Sequence, residues 1–155
     1  MKTARVAFAG ALHEAQPHDA GLRLADGRVL RENEVVWLPP FEPGTIVALG
    51  LNYADHVKEL SKELTIGEKD EPLVFLKTPG STLGHRGVVR RPAGVHFMHY
   101  ECELAVVIGA TAHRVKRADA LRHVAGYTVC NDYAVRDYLE NWYRPNLRAK
   151  NRAGG

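Results

Sequence analysis

The stretch Tyr100-Glu101-Cys102-Glu103-Leu104-Ala105-Val106-Val107-Ile108-Gly109 is the sharpest local feature of the chain. It predicts a strand from Tyr100 to Ile108. Side chains alternate along a strand, so Glu101 and Glu103 point to one side, roughly 6 to 7 Å apart. Ala105 and Val107 continue that side, while Cys102, Leu104, Val106 and Ile108 form the other, so both faces are apolar. Two carboxylates on a strand entering such a core repel each other and lose hydration, a cost that a divalent cation between them removes. The alternative is a wet strand end with Arg or Lys neighbours.

Working outward, a second strand is expected at Tyr127 to Cys130, followed by a helix from about Ala134 to Trp142. Asp132 lies where that strand runs out, either as a helix cap or as a third oxygen ligand. Three carboxylates without a Cys or His pair at ligand spacing favour a hard ion, Mg²⁺ or Mn²⁺, over Zn²⁺. Upstream, Leu73 to Lys77 and Val88 to Arg90 read as strands, and Ala118 to Val124 as a helix. Thr45 to Gly50 reads as a buried strand. The residues before it are strand-like, with Asp26-Gly27 between two short alternating runs, a strong hairpin signal. Residues 1–44 therefore form a small β-rich lobe, residues 45–155 the body, and the fold class is mixed α/β and β-rich.

Asn52 is a good N-cap and Asp55 an acid at N3, so a helix is expected from Tyr53 to Leu60. His56 and Glu59 stand three apart on it and share a face. There a carboxylate can orient an imidazole as a general base, or the two form an ordinary surface pair. The polar stretch from Ser61 to Glu71 makes a plausible lid. Lys77 ends its strand at a turn, as a cation at a cleft mouth or a solvated strand end. His99 has strand parity with Glu101, which suits a supporting position more than ligation.

The composition narrows the function classes. With 155 residues, 45% hydrophobic and 25% charged, the chain has the ordinary globular mixture and enough length for a sizeable core. A formal charge of +3 is too small to argue for nucleic-acid binding. The basic residues Arg136, Arg144, Arg148, Lys150 and Arg152 match no RNA- or DNA-reading motif; a small anionic substrate or plain solvation is the simpler use. The two cysteines, Cys102 and Cys130, form no framework and read as reduced thiols, hence a cytoplasmic protein. The apolar run Val6 to Leu12 is too short for a signal core, and no segment has the length of a membrane span.

Read together, Gly50-Leu-Asn-Tyr-Ala-Asp-His56-Val-Lys-Glu59, Glu71-Pro-Leu-Val-Phe-Leu-Lys77, His99-Tyr-Glu-Cys-Glu103 and Gly126-Tyr-Thr-Val-Cys-Asn-Asp132 with Arg136-Asp137 resemble the fumarylacetoacetate hydrolase family. The stretch Asn131 to Lys150 resembles more narrowly its bifunctional isomerase/decarboxylase branch, which acts in 4-hydroxyphenylacetate degradation. The resemblance spans about Thr45 to Arg152.

It implies a β-roll or sandwich body, Mg²⁺ or Mn²⁺ held by Glu101, Glu103 and Asp132, and a lid helix carrying His56 and Glu59. It also implies roles for Lys150 as a catalytic cation, Lys77 as a lysine lining the site and Tyr143 as a substrate contact. The implied substrate is a 2-oxo di- or tricarboxylic acid, undergoing isomerisation and decarboxylation in a homo-oligomeric enzyme. Leu139 stands where other members often carry glutamine, which disfavours hydrolase-type handling of water. Members continue past the lysine with further strands, so the chain is expected to be truncated at its C-terminus and inactive alone. The alternatives are an acylpyruvate-type carbon-carbon hydrolase and a non-catalytic, metal-stabilised interaction module.

Overall fold

A computed structural model describes residues 1–55 and 73–138. The chain divides into two compact units between Val89 and Arg90.

In the first unit, five strands form one antiparallel sheet: β1 (Ala4–Phe8), β2 (Ala11–His18), β3 (Gly21–Leu24), β4 (Val29–Leu30) and β5 (Val36–Trp37), in the order β4-β3-β2-β1-β5. Ala9 and Gly10 join β1 to β2 with φ of 48° and 79°. Positive φ at both central residues is what a two-residue hairpin between right-twisted strands requires. The Asp26-Gly27 hairpin forms as its sequence predicts: the Asp26 carboxylate accepts the Arg28 amide at 3.0 Å, and Gly27 takes φ of 88°. Val6, Ala15, Leu22 and Leu24 are the buried core of the sheet, with Leu30, Val35 and Trp37 packed against them. Gly21 is obligatory, because a Cβ there would lie 2.2 Å from the Leu30 carbonyl oxygen.

The expected strands before and after the lid segment are β6 (Ile46–Gly50) and β7 (Leu73–Lys77). They pair antiparallel, with Ile46 opposite Lys77 and Gly50 opposite Leu73. Phe75 is buried, whereas Val47, Leu49, Val74 and Leu76 remain exposed on the other side. The strand expected at Val88 to Arg90 does not form: the segment is irregular and Val88 is exposed. A three-residue run beside Gly87 and Arg91-Pro92 is too short to persist without a strand to pair with. Of the expected lid helix, Tyr53 to Asp55 are among the described residues: Tyr53 is a bend, and Ala54 and Asp55 are helical.

The second unit is built on a long antiparallel ribbon of β9 (Cys102–Ile108) and β10 (Val124–Asn131). A shorter pair, β8 (Met98–His99) with β11 (Ala134–Val135), lies beyond its open end in sequence. Two expectations are corrected here. Ala118 to Val124 is not an α-helix but a 3₁₀ segment, Arg117–His123, with Val124 already in β10. So short a run gains too few i→i−4 bonds to offset helix nucleation. Ala134 likewise begins no helix: Ala134 and Val135 pair with His99 and Met98, and a 3₁₀ turn follows at Arg136–Tyr138. Tertiary pairing overrides local propensity there. Residues beyond 138 of that expected helix lie outside the described residues.

Alternation along β9 survives, but its two sides are unequal. Glu103, Ala105 and Val107 are half-buried, while Leu104, Val106 and Ile108 are exposed. Tyr127 and Val129 lie opposite Val106 and Leu104 and are exposed with them. One face of the ribbon is therefore an apolar strip open to solvent.

Candidate functional site

The ribbon register assembles the site. Cys130 lies opposite Glu103 and Asn131 opposite Cys102. One step further, the Asp132 amide donates to the Glu101 carbonyl at 2.8 Å, and the Glu101 amide donates to Asn131 Oδ1 at 2.9 Å. Residues directly opposite in an antiparallel pair share a face. Glu101, Glu103 and Asp132 therefore come to one side of the ribbon at one end, all three half-buried. The parity read from β9 alone put the two glutamates together; pairing with β10 adds the aspartate.

Arg136 completes this end. Its Nη2 forms a very short ion pair with Glu101 Oε1, and its Nε donates to His99 Nδ1 at 3.3 Å. The pair is well shielded, with the Arg136 side chain 17% and the Glu101 side chain 28% exposed. The arginine expected among solvated basic residues is thus a structural partner of the site. Its signal in the sequence was position: it follows Asp132 by four, on a segment that returns toward His99.

Asp137 fixes that segment. Its two carboxylate oxygens accept the His96 and Phe97 amides at 2.7 and 2.6 Å, and the Arg136 amide donates to the Phe97 carbonyl at 2.9 Å. Residues 96–99 are thereby tied to 134–137, which presents His99 and Arg136 to Glu101. The amide of His96, and then that of Phe97, hold the Asp137 carboxyl below its ordinary pKa of 3.8. A depressed folded pKa means stability present above the unfolded value and lost as pH falls through the folded one. Protection of the His96 and Phe97 amides against hydrogen exchange, taken relative to the intrinsic rate at each pH, should therefore be high at neutral pH and fall only below about pH 4. In Asp137→Ala that protection should be low throughout; unchanged protection in the variant would remove the clamp.

Lys77 belongs to the first unit, at the end of β7 opposite Ile46, half-buried. His56, Glu59, Tyr143 and Lys150 lie outside the described residues. Among the described residues, no three His, Cys, Asp or Glu side chains are gathered closely enough to hold a metal ion. The donor set nevertheless fits one: three oxygen donors of a kind that hard divalent ions take, on one face of one ribbon end. Glu101 as it stands answers the other expectation, a strand end with a cationic neighbour.

The sequence profile of the fumarylacetoacetate (FAA) hydrolase C-terminal domain matches residues 45–155. The chain belongs to the fumarylacetoacetate hydrolase family. It is 51% identical over 152 residues to the 4-hydroxyphenylacetate degradation bifunctional isomerase/decarboxylase of Escherichia coli, covering 91% of this chain and 34% of that protein. The enzyme of the same description from Salmonella dublin is 53% identical over 131 residues, covering 84% and 29%. The chain thus spans about a third of the length of the curated relatives it matches. Among solved structures, 5-carboxymethyl-2-hydroxymuconate delta-isomerase from Mycobacterium smegmatis superposes with a TM-score of 0.75 at 27% identity, over all of this chain and 61% of that one. The β-rich fold is that of the fumarylacetoacetate hydrolase family, and the matched span includes every residue singled out above. Among the described residues, no helix is long and apolar enough to cross a membrane.

Proposed function

We propose that the protein containing this chain is a divalent-metal-dependent isomerase/decarboxylase of 2-oxo di- or tricarboxylic acids, acting in the breakdown of aromatic compounds such as 4-hydroxyphenylacetate. The observation that carries this reading is the register placing Glu101, Glu103 and Asp132 on one face, in a chain half identical to isomerase/decarboxylases over 91% of its length. In this proposal those three residues hold Mg²⁺ or Mn²⁺. When bound, such an ion supplies Lewis-acid polarisation of the keto and carboxylate oxygens of a 2-oxo acid.

The chain's own residues do the rest. The His56 imidazole, oriented by Glu59, moves the proton at the carbon next to the keto group. Lys77 and Lys150 balance negative charge on the substrate, and Tyr143 contacts it. Asn131 contributes indirectly, since its side chain fixes the backbone of Glu101. Cys102 and Cys130, neither of them in a disulfide, suit a reducing cytoplasm, and the exposed apolar strips suit a homo-oligomer.

Product analysis on the full-length protein tests the reaction. With Mg²⁺ and a 2-oxo diacid carrying a second carboxylate, release of CO₂ and migration of a double bond are expected. An acylpyruvate should survive intact. Cleavage of the acylpyruvate with no action on the diacid would replace this reading by a hydrolase, and metal binding with neither activity would leave an interaction module.

A further inference from the structure

We propose that Arg136 is the counter-charge of Glu101 and competes with the divalent ion for it, so that it sets metal affinity. The inference rests on the proposed assignment of Glu101, Glu103 and Asp132 as ligands and adds a residue that opposes them.

Three carboxylates on one half-buried face raise one another's energy unless positive charge is supplied. At Glu101 that charge comes from the Arg136 guanidinium, ion-paired to the carboxylate and largely shielded from water. The arginine is held there from two directions. Its backbone amide is bonded to Phe97, and its Nε is bonded to His99 Nδ1, so the guanidinium reaches Glu101 with little freedom left to lose. An arginine Nε can only donate, so His99 Nδ1 accepts.

Glu101 is thus already engaged by a cation. A dication brought onto the same carboxylate meets a fixed positive charge within a few ångströms, and like charges that close repel strongly in a shielded site. Binding of the ion therefore costs the Arg136–Glu101 pair. The competing structural expectation, that Arg136 merely braces Glu101 for the metal, predicts the opposite sign on removal, since loss of an orienting partner weakens metal affinity about 10- to 100-fold.

The test is calorimetric titration of the full-length, chelator-treated protein with Mg²⁺. Arg136→Gln should bind Mg²⁺ about tenfold or more tightly than the unaltered protein, because a charge-assisted pair no longer has to be broken. Arg136→Lys, which keeps the charge, should return affinity toward the original value. Unchanged or weaker binding in Arg136→Gln overturns the proposal.

Glu103→Gln separates the two layers. If Mg²⁺ binding survives that substitution undiminished, the metal assignment falls and this inference with it; if binding is lost, only the Arg136 arm decides. Because a variant at position 136 can fail to fold, the unaltered protein provides a second measurement. The Arg136 Nε–H resonance should be slow to exchange without metal and should shift or broaden on Mg²⁺ addition. A resonance indifferent to saturating Mg²⁺ overturns the competition.

Discussion

Glu103→Gln in the full-length protein is expected to lose more than about 100-fold in Mg²⁺ affinity and nearly all turnover, since even an outer partner of a metal site is worth 10- to 100-fold. The substitution keeps the shape of the side chain and removes only its charge. Glu101→Gln would in addition alter the ion pair with Arg136, and through it His99. Glu103 lies within the β9–β10 pairing, opposite Cys130, so the backbone ladder that holds it does not depend on its side chain. The ladder should therefore be retained, as judged by an unaltered far-UV spectrum in the absence of metal. Calorimetry showing undiminished Mg²⁺ binding in Glu103→Gln would sink the assignment of the three carboxylates.

What the sequence makes legible follows from which forces act locally. The Asp26-Gly27 hairpin and the β9 alternation depend on a few adjacent residues, and both are present as expected. The pairing of β6 with β7 needed a partner from across the lid segment, yet both runs were apolar enough to be recognised as strands. Ala134 and Val135 were misleading because their conformation is set by His99 and Met98, some 35 residues away in the chain, rather than by their neighbours.

Arg136 and Asp137 were hidden for the same reason. Nothing adjacent distinguishes an arginine that will be shielded against Glu101 from one that will be solvated. Of the three candidate carboxylates, parity groups Glu101 with Glu103, and Asp132, singled out for its place after the second strand, is set opposite Glu101 by the pairing with β10. The apolar strips on β6–β7 and β9–β10 show the limit of parity. It separates two faces of a strand but does not say which will be covered.

His56→Ala in the full-length protein is expected to lower turnover by about 10² to 10⁴, the usual contribution of a general base, while leaving Mg²⁺ affinity nearly intact. The two readouts are meant to part company. Glu101, Glu103 and Asp132 lie at one end of a ribbon that does not contain His56, so in this proposal ligation and proton movement draw on different segments of the chain. A base also leaves a signature that a bracing residue does not. The acidic limb of the rate profile, set by protonation of the base, should disappear in the variant rather than scale down. Glu59→Gln should act through the same group, moving that limb and costing less than loss of the imidazole. If His56→Ala weakens Mg²⁺ binding as much as Glu103→Gln does, His56 belongs with the ligands. If it retains the acidic limb at full rate, the proton is moved by another residue.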